Sequence, residues 1–278
     1  MQKQIVGLIG YPLSHSLSPV MHNSVFKKYG MDWEYKVFEL KKEGLKNFIK
    51  KMKKEKIKGV NVTVPYKQEI MKYLDSIDKA AKSVGAVNTI VNKNGKLVGY
   101  NTDYIGFEKT LKKYRINIKG KSVVLFGAGG AAHAVCFALK KQKPKIIDIV
   151  NIDIPMAENL VKNLKLKDYR IWYLKKSEVI DALIKKADFI INATSVGLDK
   201  KSNPYKIDKL KKKRIPVYDL IYNPAVTPFL KQAKIKGARI INGLDMLIYQ
   251  GMEAFKLWTG RASDYDTIIK ALMEKGAI

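Results

Sequence analysis

The stretch KSVVLFGAGGAAHAVCFAL, residues 121–139, decides the fold. Its Val123, Val124, Leu125 and Phe126 favour β-structure without polar alternation, as in a strand covered on both faces. Ala131, Ala132, Ala134, Ala138 and Leu139 favour helix. Between them, Gly127, Gly129 and Ala132 fit the pattern G-x-G-x-x-G/A. In that pattern Gly127 permits a tight turn, Gly129 lets a pyrophosphate approach the backbone, and Ala132 lets helix and strand pack closely. The start of the helix then offers free N–H groups and the positive end of its dipole to an anion.

A glycine triplet alone is common in turns, and an ordinary tight βα turn is the competing reading. Here a second apolar run, 146–150, follows after one helix length and completes a βαβ unit. The stretch therefore predicts a Rossmann-type dinucleotide site.

At 278 residues the chain is long enough for two cores. No apolar run approaches the ~20 residues of a membrane-spanning helix. The opening MQKQIVGLIGYPLSHS carries no signal-peptide pattern, and the single cysteine, Cys136, excludes an intrachain disulfide. A cytoplasmic location fits both, with Cys136 as a small packing residue. No Cys/His cluster suggests a metal. The 53 basic and 25 acidic residues give a net charge of +28, yet only five of the basic residues are arginine. The lysines spread along helices (Lys41, Lys42, Lys46, Lys50, Lys51, Lys53, Lys54, Lys56), as on solvated faces. Nucleic-acid sites also use arginine for bidentate and stacking contacts, so no nucleic-acid partner is expected. The positive field should still attract anionic substrates and cofactors.

Strands are expected at 5–9, 33–38, 57–64, 86–91, 97–100, 123–126, 146–150, 170–174, 188–192, 217–221 and 239–241. Helices are expected at 19–29, 45–52, 67–74, 78–83, 103–114, 155–164, 177–185 and 228–236, with two more starting near 244 and 263. Lys93, Asn94 and Gly95 suggest a hairpin turn. Ser18 suits an N-cap before Pro19, whereas Ser16 has no capping duty and could help hold a carboxylate. The lysine-rich stretch 193–213 reads as the most mobile segment. Alternating strands and helices make this an α/β chain.

Polar residues cluster at the ends of three apolar strands, where open α/β sheets bind ligands. They lie in Asn61-Val62-Thr63-Val64-Pro65-Tyr66-Lys67, Ala86-Val87-Asn88-Thr89 and Tyr100-Asn101-Thr102-Asp103. Each taken alone reads as a turn former, a surface lysine or a helix cap. Together, a lysine and a carboxylate in one cleft form a plausible acid–base pair beside a hydride acceptor.

The segments HSLSPVMHN, GVNVTVPYKQ, AVNTI, GYNTDYIGF, GAGGAAHA, NATSVG, DLIYNPAVTPFL and NGLDMLIYQG resemble the shikimate dehydrogenase family, in the same order and over essentially the whole chain. The resemblance implies a two-domain α/β fold: a substrate-binding domain over 1–102, a Rossmann NAD(P)-binding domain over 103–241, and C-terminal helices over 242–278 that return to the substrate domain. It implies reversible, nicotinamide-dependent reduction of 3-dehydroshikimate to shikimate. Lys67 would be catalytic with Asp103 as its partner. Ser16, Ser18 and Tyr222 would hold the substrate carboxylate, and Thr63, Asn88 and Gln250 the ring hydroxyls. Gly127, Ala128, Gly129, Gly130 and Ala131 would cradle the pyrophosphate, with Thr194, Leu220 and Gly243 at the nicotinamide end. None of His15, His22 and His133 is needed as a base; His133 could stack or donate near the pyrophosphate, or be a plain helix residue.

The sequence departs from the family after the second Rossmann strand. Many members carry Asn-Arg-Thr and a later cation there to meet the 2′-phosphate of NADP. This chain has Asn151, Ile152 and Asp153, and Met156 at the later position. A carboxylate about 20 residues beyond the fingerprint accepts hydrogen bonds from the ribose of NAD, and it would repel a phosphate. NAD is therefore expected to be preferred, with NADP the alternative if Lys175 or Lys176 compensates and Asp153 merely caps the next helix. Alternatives for the whole chain are an enzyme that also takes quinate, a non-catalytic ligand-binding regulator, or a polyanion-binding protein supported only by net charge. Retention of both Lys67 and Asp103 argues against the regulator. A monomer or homodimer with a small-molecule substrate is expected.

Overall fold

A computed structural model describes residues 3–13 and 16–278; Ser14 and His15, which open the serine-rich segment, lie outside the described residues. The chain divides into a first unit, Met1–Gly106 with Ile248–Ile278, and a second, Phe107–Leu247. The first holds β1 (Gln4–Gly10), α1 (Ser18–Lys28), β2 (Trp33–Glu39), α2 (Leu45–Lys54), β3 (Gly59–Val62), β4 (Ser76–Ile77), α3 (Lys79–Val84), β5 (Thr89–Lys93) and β6 (Lys96–Tyr100). After α4 (Asp103–Lys113) come β7 (Ser122–Phe126), α5 (Gly130–Lys141), β8 (Ile146–Asn151), α6 (Ile154–Leu164), β9 (Tyr169–Tyr173), α7 (Ser177–Lys186), β10 (Phe189–Asn192), β11 (Pro216–Asp219), α8 (Pro228–Ile235) and β12 (Arg239–Ile241). The closing helices are α9 (Leu244–Thr259) and α10 (Tyr265–Glu274). Both divisions between units fall inside helices, α4 and α9, rather than at 102 and 241. Asp103 belongs to the first unit because its carboxylate is tied to side chains there.

The first unit's sheet runs β2-β1-β3-β5-β6-β4. It is mixed: β1 pairs in parallel with β2 and β3, whereas β5 runs antiparallel to both β3 and β6. Asn94 and Gly95 both take positive φ in the β5–β6 turn, the geometry that matches a two-residue hairpin to strand twist. The amphipathic α2 buries Leu45, Phe48, Ile49 and Met52 against this sheet's core and exposes Lys46, Lys50, Lys51, Lys53 and Lys54. From α9, Trp258 donates through Nε1 to the carbonyl of Ile90 at 3.0 Å and lies against Gly59. A Cβ at Gly59 would come within 2.2 Å of that indole nitrogen, so the close approach requires glycine.

The second unit's sheet runs β12-β11-β10-β7-β8-β9, all parallel. That is the doubly wound dinucleotide-binding order, with β7 at the centre. Its central strands are buried, as in a parallel sheet covered by helices on both faces, which explains the unbroken apolar runs.

Several local expectations differ from the structure. A 3-10 turn, Glu69–Tyr73, replaces the helix at 67–74, because Val87 donates to the carbonyl of Lys67 at 2.7 Å and ties that residue to the strand approach. The two-residue β4 carries no apolar pattern and escapes sequence reading. Leu17, not Ser18, is the N-cap residue of α1, and it makes no side-chain cap; Ser16 Oγ instead accepts from the Ser18 N–H at 3.3 Å. The stretch 193–213 is pinned by Ile207 and Leu210, both buried in the second core. Beyond α2, α4 and α5, and at the end of α6, the backbone turns left-handed at Lys56, Arg115, Lys143 and Lys165 respectively, positions that favour glycine or asparagine.

In the first unit His22 is buried and stacked on Tyr35, with ring centroids 4.5 Å apart and planes within 6°. Burial holds its pKa down to about 3 from an ordinary 6.5, and its Nε2 has no hydrogen-bond partner. The folded ring stays neutral while the unfolded chain takes up a proton near 6.5. Stability from this site is therefore full above that pH and declines as pH falls toward about 3. Denaturant unfolding between pH 7 and 4 should show this slope, at most about 1.4 kcal/mol per pH unit, and His22→Phe should flatten it. Parallel profiles for the two proteins would exclude His22 as the source.

Candidate active site

In the first unit, β3 leads through Pro65 to Lys67, and β6 leads to Asp103 at the start of α4. Lys67 Nζ donates to Asp103 Oδ2 at 2.6 Å, with the two side chains 15% and 7% exposed. Asn88, just before β5, donates through Nδ2 to the other carboxylate oxygen, Asp103 Oδ1, at 2.8 Å. The same amide nitrogen lies 2.9 Å from Thr102 Oγ1 and 3.2 Å from Gln250 Oε1 on α9. Its carbonyl oxygen accepts from the Thr102 N–H at 2.6 Å. The carboxylate is thus held at both oxygens, and the lysine is held by the carboxylate. Such an arrangement fixes an ammonium group at the edge of a buried polar cluster.

A second layer supports it, and sequence reading had singled out only part of it. Tyr35 donates its hydroxyl to Asn61 Oδ1 at 2.8 Å, and Asn61 Nδ2 donates to Thr89 Oγ1 at 3.1 Å. Thr89 Oγ1 in turn lies 3.2 Å from Asn88 Oδ1. Polar residues within apolar strands at 61 and 89 were the available signal; Tyr35 offered none. Ser16 and Ser18 stand at the N-terminus of α1 in this unit, with Ser18 buried. Thr63 donates its backbone N–H to Ile9 and lies against Gly10, where a Cβ would meet its methyl at 2.4 Å.

In the second unit, β7 ends at Phe126 and α5 starts at Gly130. Gly127 takes φ +105°, and a Cβ there would press on Thr194 at 2.9 Å, so both conformation and space demand glycine. A Cβ at Gly129 would meet nothing within 4 Å, which leaves the backbone of the turn open to approach. Ala132 is fully buried where α5 packs on the sheet. These features fit a dinucleotide pyrophosphate against the start of a 12-residue helix. His133 lies on the buried side of α5, which places its ring in the core rather than at the open turn. Burial also pushes the Cys136 thiol up, away from reactivity.

Asn151, at the end of β8, donates through Nδ2 to the carbonyl of Asp153 at 2.7 Å. Asp153 Oδ1 accepts from the Met156 N–H at 2.9 Å and caps α6. Ile152 and Met156 are exposed. At the ends of β10 and β11, a buried network missed by sequence reading sets the loops carrying Thr194, Leu220 and Gly243. Asp219 accepts from Thr227 Oγ1 at 2.6 Å, from Asn192 Nδ2 at 3.0 Å and from the Ile221 N–H at 3.0 Å. Burial raises its pKa, against the pull of these three donors. Asn192 Oδ1 accepts from Thr194 Oγ1 at 2.7 Å. A Cβ at Gly243 would sit 1.9 Å from the Leu220 carbonyl, so these two segments touch backbone to backbone. Tyr222 follows β11 and belongs to this second unit.

Family models for the shikimate dehydrogenase substrate binding domain, for shikimate / quinate 5-dehydrogenase and for the shikimate 5'-dehydrogenase C-terminal domain match residues 8–90, 108–220 and 243–273. A Methanocaldococcus jannaschii protein named shikimate dehydrogenase (NADP(+)) is 44% identical over 275 residues, covering 98% of this chain and 97% of its own. A crystal structure of a shikimate dehydrogenase in complex with NADP+ aligns with a TM-score of 0.87 at 43% identity, covering 98% of this chain and 96% of its own. The Listeria monocytogenes shikimate 5-dehydrogenase, solved with shikimate and NAD, aligns with a TM-score of 0.86 at 35% identity, covering 97% and 96%.

The geometry around Asn88 has a measurable consequence. Asn88→Ala would leave the Thr102 N–H and one Asp103 oxygen without their buried partner, costing about 1–3 kcal/mol of unfolding free energy. Asn88→Asp would set two carboxylates face to face, so its loss should be larger at pH 7 than at pH 5. Equal denaturation midpoints for wild type and both variants would show that Asn88 holds nothing in place.

Proposed function

This chain belongs to the shikimate dehydrogenase family, and we propose that it reduces 3-dehydroshikimate to shikimate, reversibly, with a nicotinamide dinucleotide. The observation that carries the reading is the Lys67–Asp103 pair at 2.6 Å, nearly buried and braced by Asn88. A bound nicotinamide supplies or accepts the hydride. In the reducing direction the Lys67 ammonium gives its proton to the ketone oxygen as the hydride reaches the carbon. In the oxidising direction the amine takes the hydroxyl proton back. Asp103 keeps Lys67 pointed at that oxygen and offers the hydroxyl an acceptor. Asn88 and Gln250, already linked at 3.2 Å, and Thr63 would bind ring hydroxyls. Ser16 and Ser18 at the start of α1, with Tyr222, would hold the carboxylate. Gly127, Ala128, Gly129, Gly130 and Ala131 would carry the pyrophosphate, with Thr194, Leu220 and Gly243 at the nicotinamide end.

For the dinucleotide, the reading is NAD in preference to NADP. Asp153 spends one oxygen on capping α6, and no described residue donates to its second. That oxygen can accept from ribose hydroxyls, and it opposes a 2′-phosphate where Ile152 and Met156 supply no cation. The names of the relatives specify NADP(+), so this preference rests on Ile152, Asp153 and Met156.

Lys67→Ala should lower turnover by about 100- to 10,000-fold while shikimate still protects the protein against thermal unfolding. Near-normal turnover would remove Lys67 from the chemistry. For the cofactor, kcat/KM at saturating shikimate should favour NAD in the wild type. Ile152→Arg with Asp153→Ser should move the ratio toward NADP by about tenfold, as expected for a charge-assisted contact. A wild-type NADP preference left unchanged by the pair would overturn the assignment.

A further inference from the structure

The second unit carries a hollow of about 320 Å³ at the end of the sheet opposite the glycine turn. It is lined where β7, β10, β11 and β12 begin, by Phe189, Pro216 and neighbours, whereas Gly127 follows the last residue of β7. Five cations surround it: Arg115, Lys121, Lys213, Arg214 and Arg239. Three of the five arginines in the chain are therefore gathered here, although they lie far apart in sequence. The single carboxylate in the lining, Asp188, is occupied by Lys212 Nζ at 2.9 Å and by the Ser122 N–H at 3.0 Å.

One of the three guanidinium groups is held in place. Arg239 donates to the Tyr114 carbonyl at 2.8 Å and lies 5.2 Å from the centre of the Tyr114 ring. Arg115 and Arg214 both sit in left-handed backbone, φ 53° and 61°, a conformation that costs an arginine energy and that asparagine or glycine would adopt more readily. Neither makes a hydrogen bond or ion pair with a described carboxylate, and both residues are exposed where they line the hollow. Planar forks match phosphate oxygens in pairs. Five basic residues lining one hollow, with a single carboxylate among them, exceed what a lone carboxylate or monophosphate would neutralise. Phe189 is buried, and Tyr114 is covered by Arg239 and approached by Lys113 at 6.0 Å, so neither ring offers a platform for stacked bases.

From this convergence we infer a second anion site, at the amino ends of the strands, that takes a compact oligophosphate, meaning a small molecule with several linked phosphate groups. It is independent of the dinucleotide site and of the reading of the first unit.

The test uses inorganic tripolyphosphate as the probe, titrated calorimetrically into the full chain at about 150 mM salt, where distant surface charges are screened. Three proteins are compared: wild type, Arg115→Asn with Arg214→Asn, and Lys50→Asn with Lys54→Asn on α2. Both pairs remove two charges, and asparagine suits the left-handed positions, so the arginine pair keeps its fold. The arginine pair should weaken binding about tenfold or more through lost charge-assisted hydrogen bonds, while the lysine pair stays within about twofold and shikimate oxidation is unchanged in both. Equal losses in the two pairs would mean general attraction to a +28 chain. No loss in the arginine pair would place the probe elsewhere, the glycine turn included. Absence of binding to the wild type, or arginine-dependent binding of a single-stranded oligonucleotide without binding of tripolyphosphate, would also overturn the proposal.

Discussion

Parallel pairing sends all six strands of the second unit's sheet in one direction, and most of that unit's organisation follows from it. Every carboxyl end opens on one edge, so residues distant in sequence meet there: Gly127 after β7, Asn151 at the end of β8, Asn192 at the end of β10, Asp219 at the end of β11. The polar groups freed where ladders stop need partners. Asp219, Asn192 and Thr227 supply them to one another and to the loop backbones, which fixes the loops. The opposite edge receives the loop residues that precede each strand. In a chain this rich in lysine, and with three of its five arginines here, it becomes a basic concavity.

The first unit solves a comparable problem with a mixed sheet. Its antiparallel β5–β6 hairpin brings Asn88 and Thr102 to neighbouring strand ends, and β3 delivers Lys67 beside them. One carboxamide then serves a carboxylate, a hydroxyl, a second amide and a backbone N–H. Buried polar groups of this kind are costly unless each is satisfied, and once satisfied they admit a single arrangement. The placement of Lys67 is therefore a property of the sheet's ends rather than of the lysine side chain.

Much of this was readable from the chain alone. Apolar runs without alternation announce buried parallel strands, and the alternation of strand and helix gives the α/β class. Lys67, Asp103 and Asn88 stood out because polar residues at strand ends are anomalous in an apolar context, and the resemblance to the shikimate dehydrogenase family gave them roles. What escaped has physical causes. The two residues of β4 carry no periodicity, and the 3-10 turn at Glu69–Tyr73 has the composition of a helix. Ser18 looks like a cap because a serine before Pro19 usually is one, yet the helix begins one residue sooner. Asp219 and the arginine cluster depend on long-range convergence, which no local pattern encodes.

The left-handed residues that follow or end four helices have a further meaning. Lys56, Arg115, Lys143 and Lys165 each hold a backbone conformation that disfavours a side chain by about 1–2 kcal/mol. A cation near the negative end of a helix returns about 0.3–1 kcal/mol, less in salt. Exchange of charge for glycine at these helix ends would therefore strengthen the fold while lowering the charge. High positive charge and stability are opposed quantities at these positions, so a lineage that shed its excess of lysine could do so here first, and gain tolerance for change elsewhere in the chain.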